Sequence, residues 1–253
     1  FYVTWHTQGL HDGKEYRADV SRVLAQDPYA SRNNDSPAWT KSSYHWGEPE
    51  WGYFLSQDEY VIRKDMSMLT DAGVDMIIFD VTNAVLYWDE WDVTLRTMAQ
   101  MKKEGNKVPK FCFWAFNGNV ITVVHQLYDK FSKNPRYQDL WFYWDGKPLL
   151  LYNATPSVDA NVGGGEKNLA DYSDEVKQFF TLRNMWWGYY EWAGKRYVGT
   201  EGNWSFGLQL NDKKVAQMKP EQLAATWKGR YEQMSVTPAQ HPITNVGKSW
   251  SRK

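Results

Sequence analysis

With 253 residues and a formal net charge of -1, the chain is long enough for one large domain and carries no charge excess of the kind that nucleic acid or a membrane surface attracts. Its only cysteine, Cys112, excludes an intrachain disulfide, and no segment is long and apolar enough to span a bilayer as a helix. The 15 Trp and 16 Tyr exceed what one core needs, so many are expected at a surface or cleft.

In chain order, Phe1–Trp5 is rich in β-favouring residues and predicts a first strand that delivers Trp5 and His6 at its end. Because Phe1 already falls inside that pattern, the chain is expected to be trimmed at its N-terminus. A polar segment then runs to Ser43, too long for a plain connection, and leads into Tyr44-His45-Trp46-Gly47-Glu48-Pro49-Glu50-Trp51. Indoles, an imidazole and carboxylates within a few residues suit a sugar, because indole faces stack on a pyranose ring while the polar groups bond its hydroxyls. The competing reading of Glu48 and Glu50 is a solvated loop charge, and it weighs more for Glu50.

Tyr53–Asn83 reads as one helix feeding one buried strand. Ser56 and Glu59 have capping-box spacing, Ile62, Met66 and Leu69 share a helical face, and Gly73 stands where a left-handed stop is wanted. Val74 and Met76–Phe79 then form a nearly continuous apolar run, as in a strand covered on both faces of a parallel sheet. Residues just past such a strand line the site of an α/β fold, which singles out Asp80 and Asn83. The competing reading of Asp80 is a cap for the next helix.

Trp88–Gly105 predicts a second helix with Leu95, Met98 and Met101 as its buried stripe, and Val108–Asn119 a strand that brings Trp114 and Asn117 to its end. A third helix follows over Val120–Phe131, its His125 read as a packing or surface residue. Asp145-Gly146 between two apolar runs predicts a hairpin, and Leu149–Asn153 the next strand, with Asn153 at its exit. Gly163-Gly164-Gly165 lacks both a following Lys-Ser/Thr and a preceding strand, so it makes a poor phosphate cradle.

Phe179–Asn184 predicts a strand carrying Arg183. Beyond it Trp186, Trp187, Tyr189, Tyr190, Trp192 and Trp204 surround Glu191 and Glu201, a second aromatic and carboxylate cluster. Phe206–Leu210 predicts a strand, Pro220–Gly229 a helix, and Gln233–Thr237 a last strand leading to His241. The sum is seven strands of a (β/α)8 TIM barrel, and the eighth is expected downstream of Lys253. The whole chain is read as one barrel domain.

The segments Tyr44-His45-Trp46, Tyr53–Asp80, Lys147–Asn153 and Ser235–Pro242 together resemble glycoside hydrolase family ninety-nine, the endo-α-mannosidases and endomannanases, and the related WbsX-type barrels. The resemblance implies a (β/α)8 hydrolase that cleaves an α-linked polysaccharide or oligosaccharide with retention, without metal or cofactor. It places the two catalytic glutamates in a Glu-Trp-x-Glu segment after strand eight, past Lys253. This chain departs from the pattern at Phe79–Asn83, where the mannosidases are Trp-rich, and at Ala239–Pro242, where they have Pro-Gly-Tyr. Glu191-Trp192-Ala193-Gly194 is similar to the catalytic segment but lacks its second Glu and follows strand five.

The carboxyls expected to take part in chemistry are therefore Asp80, Glu201 and Glu191. The sugar subsites are expected from Trp5, His6, His45, Trp46, Glu48, Asn83, Trp114, Asn117, Asn153, Arg183, Trp187 and His241. The competing reading is a glycan-binding barrel without catalysis. A polysaccharide-degrading enzyme is expected to be secreted, periplasmic or on the cell surface.

Overall fold

The computed structural model describes residues 1–7, 10–11, 14–15, 18–43, 45, 47–82, 85–116, 120–153, 172–186, 195–206 and 213–236. In chain order the elements are strands β1 (Leu10–His11) and β2 (Lys14–Glu15), helices α1 (Val20–Gln26) and α2 (Glu59–Asp71), β3 (Met76–Asp80), α3 (Trp88–Lys103), β4 (Lys110–Ala115), α4 (Val120–Ser132), β5 (Tyr143–Trp144), β6 (Lys147–Tyr152), α5 (Asp174–Phe179), β7 (Thr181–Trp186), α6 (Lys195–Tyr197), β8 (Asn203–Ser205), α7 (Pro220–Leu223), β9 (Ala225–Trp227) and β10 (Arg230–Gln233). Two compact units divide the chain: Phe1–Ile77 with Tyr87–Pro109, and Ile78–Leu86 with Lys110–Lys253.

In the first unit α2 buries Val61, Ile62 and Met66, and α3 buries Trp91, Leu95, Met98 and Met101. Both helices stop at glycines with positive φ, Gly73 and Gly105. At the first, Gly73 N–H donates to Thr70 O and Val74 N–H reaches back to Leu69 O. At the second, Gly105 N–H donates to Lys102 O and Asn106 N–H to Met101 O. Two Schellman stops result, each satisfying the orphan carbonyls of a last turn.

The start of α2 differs from the expected capping box. Asp58 is the cap, its Oδ1 accepting from Tyr60 N–H at 2.9 Å and Val61 N–H at 3.3 Å. Ser56 Oγ is occupied elsewhere, by His6 N–H at 3.1 Å. Phe1–Trp5 forms no strand either. Tyr2 makes a single β-bridge, and its hydroxyl ties the segment to α2 by donating to Asp65 Oδ2 at 3.0 Å. Among the described residues the segment's β-favouring side chains thus have one bridge and no extended neighbouring strand, on which β-propensity depends.

A six-stranded, mostly parallel sheet gives the chain its α/β fold, in the order β3-β4-β6-β7-β8 with β5 antiparallel on β6. The pairs β4–β6, β6–β7 and β7–β8 are parallel. Over one face of it Phe79, Phe111, Phe113, Phe131 and Trp141 form a connected aromatic core. Trp91, Trp114, Trp141 and Trp186 are among the largest fully buried side chains. Much of the aromatic surplus is therefore core, where the composition had suggested a surface.

Asp145-Gly146 makes the expected turn between β5 and β6, with φ of 49° and 81°, the paired positive values of a type I′ turn. The stretch expected as one strand from Phe179 starts instead as α5, capped by Ser173, whose Oγ accepts from Val176 N–H at 3.3 Å. The helix expected over Pro220–Gly229 ends at Leu223, and the strand expected at Gln233–Thr237 is replaced by the antiparallel hairpin β9–β10. Thr226, Trp227 and Tyr231 favour strands, and Lys228-Gly229, with φ of 49° and 74°, supplies the turn. Gly229 is thus a hairpin residue and not a helix stop. Of the strand expected at Phe206–Leu210, the paired part is β8, just before it, and residues 207–210 lie outside the described ones.

Candidate functional site

Backbone hydrogen bonds mark the edge at which the parallel strands end together. Val81 N–H donates to Trp114 O at 3.2 Å, Asn153 N–H to Ala115 O at 3.0 Å and Phe206 N–H to Trp186 O at 2.9 Å. Ligands of open α/β sheets bind outside this C-terminal edge, where loops from neighbouring strands enclose a crevice. Phe79 packs on Phe111 and Phe113, so alternation puts Asp80 on the opposite face, with Trp114.

Asp80 is only 6% exposed, and its Oδ1 accepts from Thr82 N–H at 2.9 Å. Burial pushes its carboxyl above the ordinary aspartate range, and the Thr82 hydrogen bonds offset only part of that rise. A carboxyl that keeps its proton to higher pH than in water is suited to general acid work. Its partner, Thr82, also answers the helix-cap reading: the residue at the cap of α3 is Tyr87.

Around Asp80 the floor is aromatic. Trp114 is fully buried, its Nε1–H donates to Met185 O at 3.2 Å, and its ring lies against Phe116 and Phe206. It therefore supports the edge and offers no open stacking face, contrary to the expectation that it lines a subsite. Asn153 reaches the edge as expected and is 1% exposed. Among the described residues Asp80 is the one carboxyl where these strands end, and no three His, Cys, Asp or Glu side chains are grouped to hold a metal ion.

A different cluster occupies the N-terminal half of β7 and the turn before β6. Arg183, expected at a strand exit, stands in the cross-strand row of Trp114 and Leu151. Its Nε donates to Glu232 Oε2 at 2.7 Å and its Nη2 to Glu232 Oε1 at 2.9 Å and Asp145 Oδ2 at 2.8 Å. The same carboxylate accepts from the indole N–H groups of Trp144 at 2.8 Å and Trp204 at 3.1 Å. Arg230 bonds Asp145 and Glu232 from the more exposed side. The Arg183 guanidinium also lies 4.2 Å from the centre of the Trp227 ring.

Burial alone would raise the Glu232 carboxyl, but hydrogen bonds from Arg183, Trp144 and Trp204 and the Arg183 charge hold it down to about 2. Arg183 is thereby committed to carboxylates and is withdrawn from the expected subsites. Glu232 itself carried no mark in the sequence; its nearest signal was Lys228-Gly229 between two β-favouring pairs.

Glu201 sits before β8, so it belongs to the edge opposite Asp80; it is exposed, and its Oε1 accepts from Lys228 N–H at 3.2 Å. The structure does not bring these two expected carboxyls together. Trp204, expected in a cluster around Glu201, is buried and donates to Glu232.

Trp5, His6, His45 and Glu48 belong to the first unit. His6 packs edge-on to Phe54 and lines a recess of about 250 Å³ with Tyr2, Ile62 and Asp65. His45 stacks on Trp39, and its ring nitrogens lie 2.8 Å from Ser43 O and 3.0 Å from Ser31 O, which engages the imidazole within its own loop. Trp5 is half-buried and Glu48 exposed. Trp46, Asn83, Asn117, Trp187, Glu191 and His241 lie outside the described residues.

No family model matches the chain, and no curated protein does. Among solved structures it is similar to the GH99 endo-alpha-mannosidase from Bacteroides thetaiotaomicron, at 19% identity and a TM-score of 0.38, over 58% of this chain and 42% of that one. The chain thus spans less than half the length of that enzyme. Fold and edge define an α/β protein whose largely parallel sheet presents one buried carboxyl at its C-terminal edge.

Proposed function

We propose that the chain is part of a glycoside hydrolase that cleaves an α-linked polysaccharide or oligosaccharide with retention. On this reading its strands belong to a single (β/α)8 barrel with sugar subsites at the C-terminal face. The observation that carries the reading is Asp80: a buried carboxyl of raised pKa at a strand end, on the face of Trp114, in a chain whose ordered motifs resemble family ninety-nine. Asp80 assists the acid–base chemistry, and Asn153 belongs to the same edge two strands away. Endo-α-mannosidase activity is the finer form of the proposal, and a secreted or periplasmic setting suits such a substrate.

The test is release of reducing ends from α-mannan and α-linked oligosaccharides by the full-length natural protein. Asp80→Asn should lower turnover on the order of 100-fold or more with the fold intact. Undiminished turnover in that variant would remove Asp80 from the site.

One observation favours a second reading, a glycan-binding barrel without catalysis. Glycosidases ordinarily use two carboxyls, and among the described residues this edge has one. Calorimetric binding of an oligosaccharide that is never cleaved would decide for it.

A further inference from the structure

Among the described residues, hairpin β9–β10 meets β8 and the segment just before it through a short set of links. They include Gln233 Nε2–H donating to Ser205 O at 2.9 Å and Lys228 N–H donating to Glu201 Oε1 at 3.2 Å. Gly202 N–H donates to Thr226 O at 2.7 Å and Thr226 N–H to Thr200 O at 3.4 Å, while Ser205 N–H donates to the Gln233 side chain at 3.0 Å. Two short strands joined by a tight turn do not hold themselves together in water, so the hairpin's place depends on what grips it. Its one fully buried charge is Glu232, whose side chain is 0% exposed, against 5% for Arg183, 33% for Asp145 and 56% for Arg230.

We propose that Glu232 is a positioning residue, a buried latch that docks hairpin β9–β10 on β7 and β8 and through them sets the floor beneath Asp80. The path is continuous. Glu232 grips Arg183 on β7 and the Trp204 indole on β8; Trp204 is the register partner of Met185; Met185 O accepts from Trp114 Nε1–H; Trp114 O accepts from Val81 N–H, next to Asp80. The charged groups around Glu232 are Arg183 from β7, Arg230 from its own strand and Asp145 from the turn before β6. The two arginines outweigh the one neighbouring carboxylate, so the latch works in its ionised form. The positioning role rests on the reading of the Asp80 edge as a site; the docking does not.

The experiment is amide hydrogen exchange on the chain, wild type against Glu232→Gln and Arg230→Gln. The Gln side chain keeps the shape of Glu232 and removes its charge. In Glu232→Gln the amides of Gly202, Ser205 and Thr226 should exchange on the order of 100-fold faster, while the Asn153 amide and those of β6 keep most of their protection. Arg230→Gln, at the exposed rim, should change them by less than about threefold. In wild type that protection should fall as pH drops below the ordinary glutamate range, and in Glu232→Gln it should show no such step. Unchanged hairpin protection in Glu232→Gln, or equal loss in β6, would overturn the latch. Should the latch hold while Asp80→Asn leaves sugar turnover untouched, the docking stands and the site beneath Asp80 is what fails.

Discussion

Two buried carboxyls, Asp80 on strand β3 of the sheet and Glu232 on the hairpin β9–β10 docked to it, are driven in opposite directions. Asp80, at the C-terminal edge, has Thr82 as its donor, so burial wins and its pKa rises. Glu232 is just as deeply buried but is met by a guanidinium fork and two indole N–H groups, so its pKa falls to about 2. Burial therefore does not decide what a carboxylate becomes; the number and charge of the donors do. The carboxyl at the C-terminal edge is shifted toward its protonated form and the one on the hairpin is held as a fixed charge, which separates a part fit for chemistry from a part that secures the fold.

The largest expected effect comes from breaking the secured part. Glu232→Ala leaves the Arg183 guanidinium buried without its main partner, and it should lower the unfolding free energy by about 3–5 kcal/mol, read from urea denaturation. A loss below about 1 kcal/mol would put the pair in the class of exposed ion pairs.

The pH dependence sharpens the same contrast. The folded pKa of Glu232 lies below its ordinary value of 4.5, so its contribution is complete above that pH and is lost as pH falls from there through about 2. Asp80 has the opposite sign. Its folded pKa is raised, so its contribution is present only at low pH, and the ionised form costs stability near neutrality. Thermal melts across pH 2–7, with Glu232→Gln and Asp80→Asn alongside, should separate the two.

A smaller effect, about 1 kcal/mol, is expected for Asp58→Ala, which removes the cap of α2. Glu59→Ala should cost less, because the capping box expected for it does not form. The smallest stability change belongs to Asp80→Asn, whose amide oxygen still accepts from Thr82: the melting temperature should hold or rise. Removing a residue that the fold does not need, at the place where a site is expected, is the mark of a functional group.

Local chemistry is what the sequence made legible. Gly73, Gly105 and Asp145-Gly146 act as read, because a positive φ is written in one or two residues. The strand ending in Asp80 was legible because both its faces are apolar. The misplaced elements depend on distant partners. Phe1–Trp5 has β-favouring residues but among the described residues makes only the bridge at Tyr2, and Ser56 gave up its cap to His6, 50 positions away. Glu232 is the sharpest case, since Arg183 lies 49 positions before it and no local pattern announces such a pair. Trp114 was expected in a sugar subsite and Trp204 in an aromatic cluster around Glu201, because composition counts indoles without saying which of them the sheet buries.

The most direct test of this division is a carboxyl-resolved NMR titration of the folded chain. It should find Asp80 titrating above the ordinary aspartate value of 3.8 while Glu232 stays ionised until the pH nears 2. An Asp80 that titrates at or below 3.8 would contradict the account, because burial would then not raise its carboxyl above the ordinary aspartate value.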